Sequence, residues 1–195
     1  MRRTVGTAVM LCGMYYALFL GPGAAHAEAS GIPPETVADF IHAVIESDRT
    51  FYTVHVVERL QKQGGTKAAE TWRADKTSLP LPAQFLHEAS DLARMTGTKV
   101  RYRLISLWPI NLDNAPVNEG EKTGLEMVRQ NPERAFTKRV TIGDQPYFQA
   151  IYADRAVTQA CIDCHNAHQG SPKKDFRIND VMGGLVIEVP LGQVR

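Results

Sequence analysis

The hydrophobic and polar residues of the first half of the chain alternate with a helical period. Between residues 35 and 61, apolar and aromatic side chains recur three and four positions apart, and His55 falls on this stripe. The members of the stripe are Val37, Ile41, Val44, Phe51, Tyr52, His55 and Leu60. This spacing predicts one long amphipathic helix with its stripe buried. Pro33 and Pro34 suit its first turn, and Gly64 and Gly65 suit its end.

The pattern changes from helices to strands towards the C-terminus. An extended connector, Leu79–Pro82, precedes a second helix that is predicted from Ala83 to about Met95. The remaining predicted elements are a strand within Lys99–Leu107, a helix over Glu119–Arg129, paired strands at Phe136–Ile142 and Tyr147–Tyr152, a helix over residues 155–168 and a strand at Gly184–Val189. Since helices come first and strands cluster later, we expect an α+β fold with an antiparallel sheet.

The first 27 residues have the pattern of a secretory signal peptide. Arg2 and Arg3 precede an apolar run, and Ala25-His26-Ala27 forms a small-residue cleavage site. The alternative is an uncleaved anchor, but the apolar run is short for a membrane span. We therefore expect an exported, periplasmic or similarly located protein with no stable membrane anchor after cleavage, and a single domain over residues 28–195.

Charge and cysteine content narrow the functional classes. The formal net charge is +1 and no clustered basic face is evident, so nucleic acid is not an expected partner. Cleavage after Ala27 would remove Cys12 and leave Cys161 and Cys164 as the only cysteines. Their close spacing alone allows a disulfide, a redox-active dithiol or part of a zinc site.

Residues 161–165 read Cys-Ile-Asp-Cys-His, the C-x-x-C-H signature of c-type haem attachment. Two thiols about one helical turn apart can reach two vinyl-derived positions on one haem edge. His165, directly after the second cysteine, can then turn its imidazole towards the iron, for which histidine is a standard axial ligand. The motif and the export signal together favour one covalently bound haem over the disulfide, dithiol and zinc alternatives.

Several other segments of the sequence are informative in addition to this motif. They are Leu79-Pro80-Leu81-Pro82-Ala83, Ile105-Ser106-Leu107-Trp108-Pro109 with Asn111 and Asn114, Ala160 to Asn166 with His168, and Ser171-Pro172-Lys173-Lys174-Asp175-Phe176 through Asp180-Val181-Met182-Gly183-Gly184. On these residues the chain resembles the PAS-like family of single-haem c-type proteins, which occur as standalone periplasmic proteins and as sensor halves of signalling proteins. The resemblance implies a PAS-like antiparallel sheet beside the long N-terminal helix, with haem between them. One type of member uses a cysteine as its second axial ligand, and this chain departs there because no third cysteine would survive cleavage.

The second axial ligand of the iron is predicted to be His55. Its place on the apolar stripe predicts burial, and a buried imidazole needs a partner that the iron could supply. A core histidine hydrogen-bonded to a carbonyl is the alternative role for His55. The other candidate ligands are His42, His87, His168, Met95, Met127 and Met182, and an open five-coordinate iron is a further alternative.

Two lysines after the motif are candidate haem-binding residues. Lys173 and Lys174 could pair with the haem propionates, although solvated loop charges would look the same in sequence. The predicted function is electron transfer or redox sensing with a redox partner protein, and no catalytic residue is identified. A gas sensor, or a small haem enzyme such as a peroxidase or a nitric-oxide-handling protein, is the alternative if the sixth position is open.

Overall fold

The computed structural model describes residues 31–192, which form an α+β structure. The predicted signal peptide lies outside the described residues. The helices are α1 (Pro34–Phe51), a π-helical segment (Tyr52–Glu58), α2 (Arg59–Gln63), α3 (Pro82–Met95), a 3-10 turn (Leu112–Asn114), α4 (Glu119–Gln130) and α5 (Gln159–Ala167). The strands are β1 (Arg101–Ile105), β2 (Phe136–Ile142), β3 (Gln145–Arg155) and β4 (Val181–Pro190). The predicted α+β class with an antiparallel sheet is confirmed.

The four strands form one antiparallel sheet in the order β1-β4-β3-β2. The predicted hairpin is confirmed, since β2 pairs with β3 from Phe136 opposite Ile151 to Ile142 opposite Gln145. Gly143 occupies the turn with φ +62°, a conformation that side chains disfavour. The longest strand, β3, lies inside the sheet and so carries the centre of the core.

Helices cover both faces of the sheet because side chains alternate along each strand. On one face α1 and α3 pack against the strands through an apolar cluster comprising Ala38, Leu86, Phe148, Ala150, Tyr152, Leu185, Ile187 and Val189. On the other face α4 packs through a second cluster, Ile105, Leu125, Val128, Ile151 and Val186. Gly124 of α4 lies so close to Ile151 and Phe136 that an added Cβ would fall 2.5 Å from Ile151.

The predicted long helix is present, and Val37 and Ile41 of its predicted stripe pack against the sheet, but the later members of the stripe do not. Its buried side runs through Ala38, Thr53 and Val57, whereas Phe51 is 62 % exposed and His55 is exposed. The predicted burial of His55 is therefore wrong. The buried stripe contains polar residues that a hydrophobic pattern does not detect, and the π-helical turns are wider than α-helical turns, which shifts the phase of the side chains after Phe51.

Helix α5 follows β3 in the chain and packs on a small apolar cluster of its own. The pairing of β3 with β4 shifts register between Asp154 and Arg155, and the chain then enters α5 from Thr158. The buried residues around α5 form a third cluster, Ala156, Ile162, Phe176 and Met182. Within residues 31–192, none of the helices combines the length and hydrophobicity needed to cross a membrane.

Candidate functional site

Helix α5 carries both cysteines of the C-x-x-C-H motif. Both thiols are free, Cys161 is half-buried and Cys164 is exposed. The Thr158 hydroxyl lies 3.5 Å from the Cys161 sulfur. Partial burial and the charges of Cys161 and Glu70 raise the pKa of the Cys164 thiol.

The His165 ring packs against Phe176, which lies in the loop between α5 and β4. The two ring centroids are 5.9 Å apart and the rings are nearly perpendicular, so the contact is edge to face. Burial lowers the pKa of His165, with the charges of His168 and Arg49 acting in the same direction and Asp154 opposing them. Its Nδ1 is buried and has no hydrogen-bond partner. Burial therefore favours the neutral form of the His165 imidazole, which is the form that can bind a metal.

A buried ion pair lies beside the motif. Arg49 of α1 donates from Nη1 to Asp154 Oδ1 at 2.7 Å, and the two side chains are 13 % and 14 % exposed. Burial acts to lower the pKa of Arg49, but the charges of Asp154, Glu46 and Cys161 raise it. The sequence does not predict this pair, because no local pattern marks Arg49 or Asp154 as buried.

Further ionisable side chains lie along α1 between Arg49 and the start of the helix. Burial raises the pKa of Glu46, beside Arg49 and Asp154. His42 stacks on Tyr152 at 4.0 Å between ring centroids, and the Tyr152 hydroxyl donates to Asp39 at 2.7 Å. Polar side chains therefore line α1 where it faces the end of β3.

The other predicted axial ligands lie in varied places. The His55 ring meets the ring of Phe51 at 4.9 Å, and His87 is also exposed. Met95 and Met127 are 82 % and 50 % exposed, whereas Met182 packs in the cluster beneath α5. Apart from His165, the histidine nearest the motif in sequence is His168, which ends α5. Its Nε2 lies 3.4 Å from Glu70, and its Nδ1 accepts from the Gly170 amide.

The two predicted lysines differ in their surroundings. Lys173 forms an ion pair with Asp175, and its Nζ lies 4.9 Å from the Phe176 ring centroid and 5.7 Å from that of Trp108. Lys174 is exposed and forms no ion pair with any residue that the structure describes. The structure thus brings Lys173 into the aromatic group that contacts His165.

Comparisons with known proteins bear on the whole of this domain. A family model described as "Tll0287-like: Tll0287" matches residues 33–190. The solved structure titled "Crystal structure of the cyanobacterial heme-protein Tll0287" superimposes with a TM-score of 0.52 at 16 % sequence identity, over 83 % of this chain and 99 % of that one. At this identity the likeness bears on the fold alone. A search of curated proteins gives no match.

Proposed function

The chain belongs to the Tll0287-like family, and on that premise we propose that it is an exported single-haem c-type cytochrome acting in electron transfer or redox sensing. The haem would be attached at Cys161 and Cys164, with His165 as an axial ligand. The name of the structural neighbour, a haem protein, supports this cofactor. The four-stranded sheet between helices is consistent with the PAS-like architecture expected from the sequence.

The residues at the motif fit a covalently bound haem. The observation that carries the proposal is the arrangement on α5, where a half-buried His165 directly follows two free thiols one helical turn apart. Its Nδ1 is buried without a partner, which is uncommon in folded proteins and which a prosthetic group at this site would help to explain. When bound, haem supplies a reversible one-electron couple whose potential depends on ligands, burial and nearby charge.

Each residue of the motif then has a defined task. Cys161 and Cys164 would hold the haem through two thioether bonds, each formed by addition of a thiol S–H across a vinyl group, which would need no oxidant. His165 keeps its electron pair available because burial disfavours its protonated form. The Phe176 ring limits rotation of the imidazole from one side.

The charges around His165 would act on the redox couple. The ion pair between Arg49 and Asp154 places one cation and one anion beside the motif in a region from which water is largely excluded. Lys174 is exposed and forms no ion pair with any described residue, whereas the Lys173 ammonium lies against the rings of Trp108 and Phe176. We therefore assign the propionate contact predicted for this pair of lysines to Lys174.

A second candidate function follows from the residues found beside the motif. Arg49, rather than a histidine or methionine, extends from α1 towards α5, and His55 is exposed. This arrangement supports a haem whose sixth position is open, which would suit a sensor of diatomic gases or a small haem enzyme.

The proposal is tested by producing the full chain in a bacterium with a cytochrome c maturation system. We expect the wild-type protein to retain haem after denaturation in detergent and the double variant Cys161→Ala, Cys164→Ala to retain none. His168→Ala is the matched control, because it changes a neighbouring side chain outside the motif. Haem retained by the double variant, or absent from the wild type, would reject covalent attachment.

Optical spectra with carbon monoxide separate the two candidate functions. A low-spin ferrous spectrum that carbon monoxide does not change would favour electron transfer. A shifted Soret band would show an exchangeable sixth position and favour the gas-binding alternative.

A further inference from the structure

A cleft of about 590 Å³ lies between the end of α4 and the segment that follows the C-x-x-C-H motif. Arg129 and Pro132 line it on the α4 side, and Lys173 and Asp180 line it on the other. Trp108 also lines the cleft, together with Asn179 and Val181. The volume falls within the range of about 300–1,000 Å³ typical of small-molecule sites.

The cleft carries more positive charge than its one acidic residue can neutralise. Arg129 is exposed in the last turn of α4 and forms no ion pair with any residue between 31 and 192. The Asp180 carboxylate already accepts a hydrogen bond from the Arg177 amide at 2.8 Å. Lys173 is paired only with Asp175, which is 81 % exposed. A guanidinium and an ammonium therefore face a space that an anion could enter.

The aromatic residues at the cleft favour a ligand of a particular shape. Trp108 and Phe176 meet edge to face with ring centroids 5.8 Å apart, and this contact fixes the indole. A fixed indole offers a planar surface on which an unsaturated body can stack.

We propose that this cleft binds a small organic anion with a planar, unsaturated body, of the class of aromatic carboxylates. The carboxylate pairs with Arg129, with Lys173 as a second cation, and the planar body stacks on Trp108. Arg129 suits this role because its guanidinium can hold a carboxylate through two parallel hydrogen bonds.

The cleft shares a wall with the motif. Phe176 contacts Lys173 on the cleft side and the edge of His165. An anion bound there would add negative charge near the axial ligand and lower the reduction potential, because it favours the ferric over the ferrous state. This consequence rests on the proposed haem function, whereas anion binding itself does not.

The experiment is calorimetric titration of the mature protein with sodium benzoate at fixed ionic strength. We expect saturable binding at one site per chain and weakening of about tenfold or more in Arg129→Gln, since a hydrogen bond to a charged group is lost. Lys122→Gln is the matched control, because it removes one positive charge from the same helix outside the cleft. Cyclohexanecarboxylate, which has no planar ring, should bind more weakly than benzoate.

The outcomes separate this proposal from that of the haem. No saturable heat, or equal weakening in Arg129→Gln and Lys122→Gln, would overturn the anion site. Benzoate binding to protein found to lack haem would support the site and reject the haem. If benzoate binds the haem-loaded protein without lowering its reduction potential, the site binds anions but its proposed coupling to His165 is overturned.

Discussion

The two faces of the sheet are built from the same strands but differ in chemistry. Against α4, the side chains of the second cluster are at most 2 % exposed and all are aliphatic. Against α1, the apolar cluster is followed along the helix by His42, Glu46 and Arg49, the last paired with Asp154. Strand β3 supplies both faces, since Ile151 points to one and Tyr152 to the other.

The face against α4 therefore contributes mainly stability, whereas the face against α1 can influence the chemistry of a nearby redox site. The aliphatic cluster against α4 gains from the hydrophobic effect and from close packing, neither of which depends on pH. The one buried charge on α4 within the described residues, Glu121, is paired with Arg103. The face beside α1 keeps ionisable groups out of water, which is costly unless each group has a partner. Such a region suits control of charge at a redox site, and the two faces should respond differently to substitution.

Breaking the ion pair on the α1 face should produce the largest loss of stability. We expect Asp154→Ala to reduce the free energy of unfolding by about 3–5 kcal/mol, because it leaves the Arg49 guanidinium buried and unpaired. Urea denaturation measures this effect. The matched control is Glu133→Ala, which removes the 82 % exposed partner of Arg155 and should cost at most about 1 kcal/mol. Equal losses in the two variants would show that burial does not distinguish these pairs.

Opening a cavity on the face against α4 should cost nearly as much without affecting the motif. We expect Leu125→Ala to lower the free energy of unfolding by about 2–5 kcal/mol, because Leu125 is 2 % exposed and packs against β3 and β4. The loss should be the same at pH 5 and pH 7, and the Soret band should not move. Leu125→Met, which nearly conserves volume, should lose less than about 1.5 kcal/mol. A pH-dependent loss would remove the distinction between the faces.

The titratable face should make stability depend on pH through His42. Burial lowers the pKa of His42 below its usual 6.5, with Asp39 partly opposing this effect. The unfolded chain therefore takes up a proton first, and stability should fall as pH decreases from about 7 through the folded pKa. We expect His42→Phe, which keeps a ring on Tyr152, to show a smaller fall between pH 7 and pH 5 in thermal unfolding. An unchanged slope would mean that His42 does not contribute.

The smallest effect should come from the exposed side of α1. We expect His55→Ala to leave the spectrum and spin state of the haem-loaded protein unchanged, because the side chain is exposed and its ring meets only Phe51 among the aromatic rings of residues 31–192. Conversion to a high-spin spectrum would establish His55 as the axial ligand predicted from the sequence. His87→Ala, also exposed, controls for loss of a surface imidazole.

The elements of the fold could be predicted from sequence because local signals agree with the final structure. The prolines at Pro33 and Pro34, the turn glycine Gly143 and the alternation along β2 all act within a few residues. Helix α3 begins at Pro82, one residue before the start predicted at Ala83, and ends at Met95 as predicted. Boundaries differed mainly where tertiary pairing extends an element, as in β3, which runs on to Arg155.

The surroundings of the motif could not be predicted in the same way. Arg49 and Asp154 are 105 residues apart, and neither has a local pattern that marks it as buried. Hydrophobic periodicity assigned the core side of α1 to Val44 and Phe51, which are 61 % and 62 % exposed. Ion pairs and hydrogen bonds allow polar residues into the interface, and only three-dimensional pairing reveals which ones.

The π-helical segment Tyr52–Glu58 has a consequence for how this protein can change its length. A π turn accommodates one more residue than an α turn, so deletion of one residue here could be absorbed by conversion to an ordinary α-helix. The helix on either side would then keep nearly the same relation, because the wider turn gives up its extra residue locally. The segment thus marks the place where a single codon could be lost with little change to the position of Arg49 or of the chain that leads to Glu70.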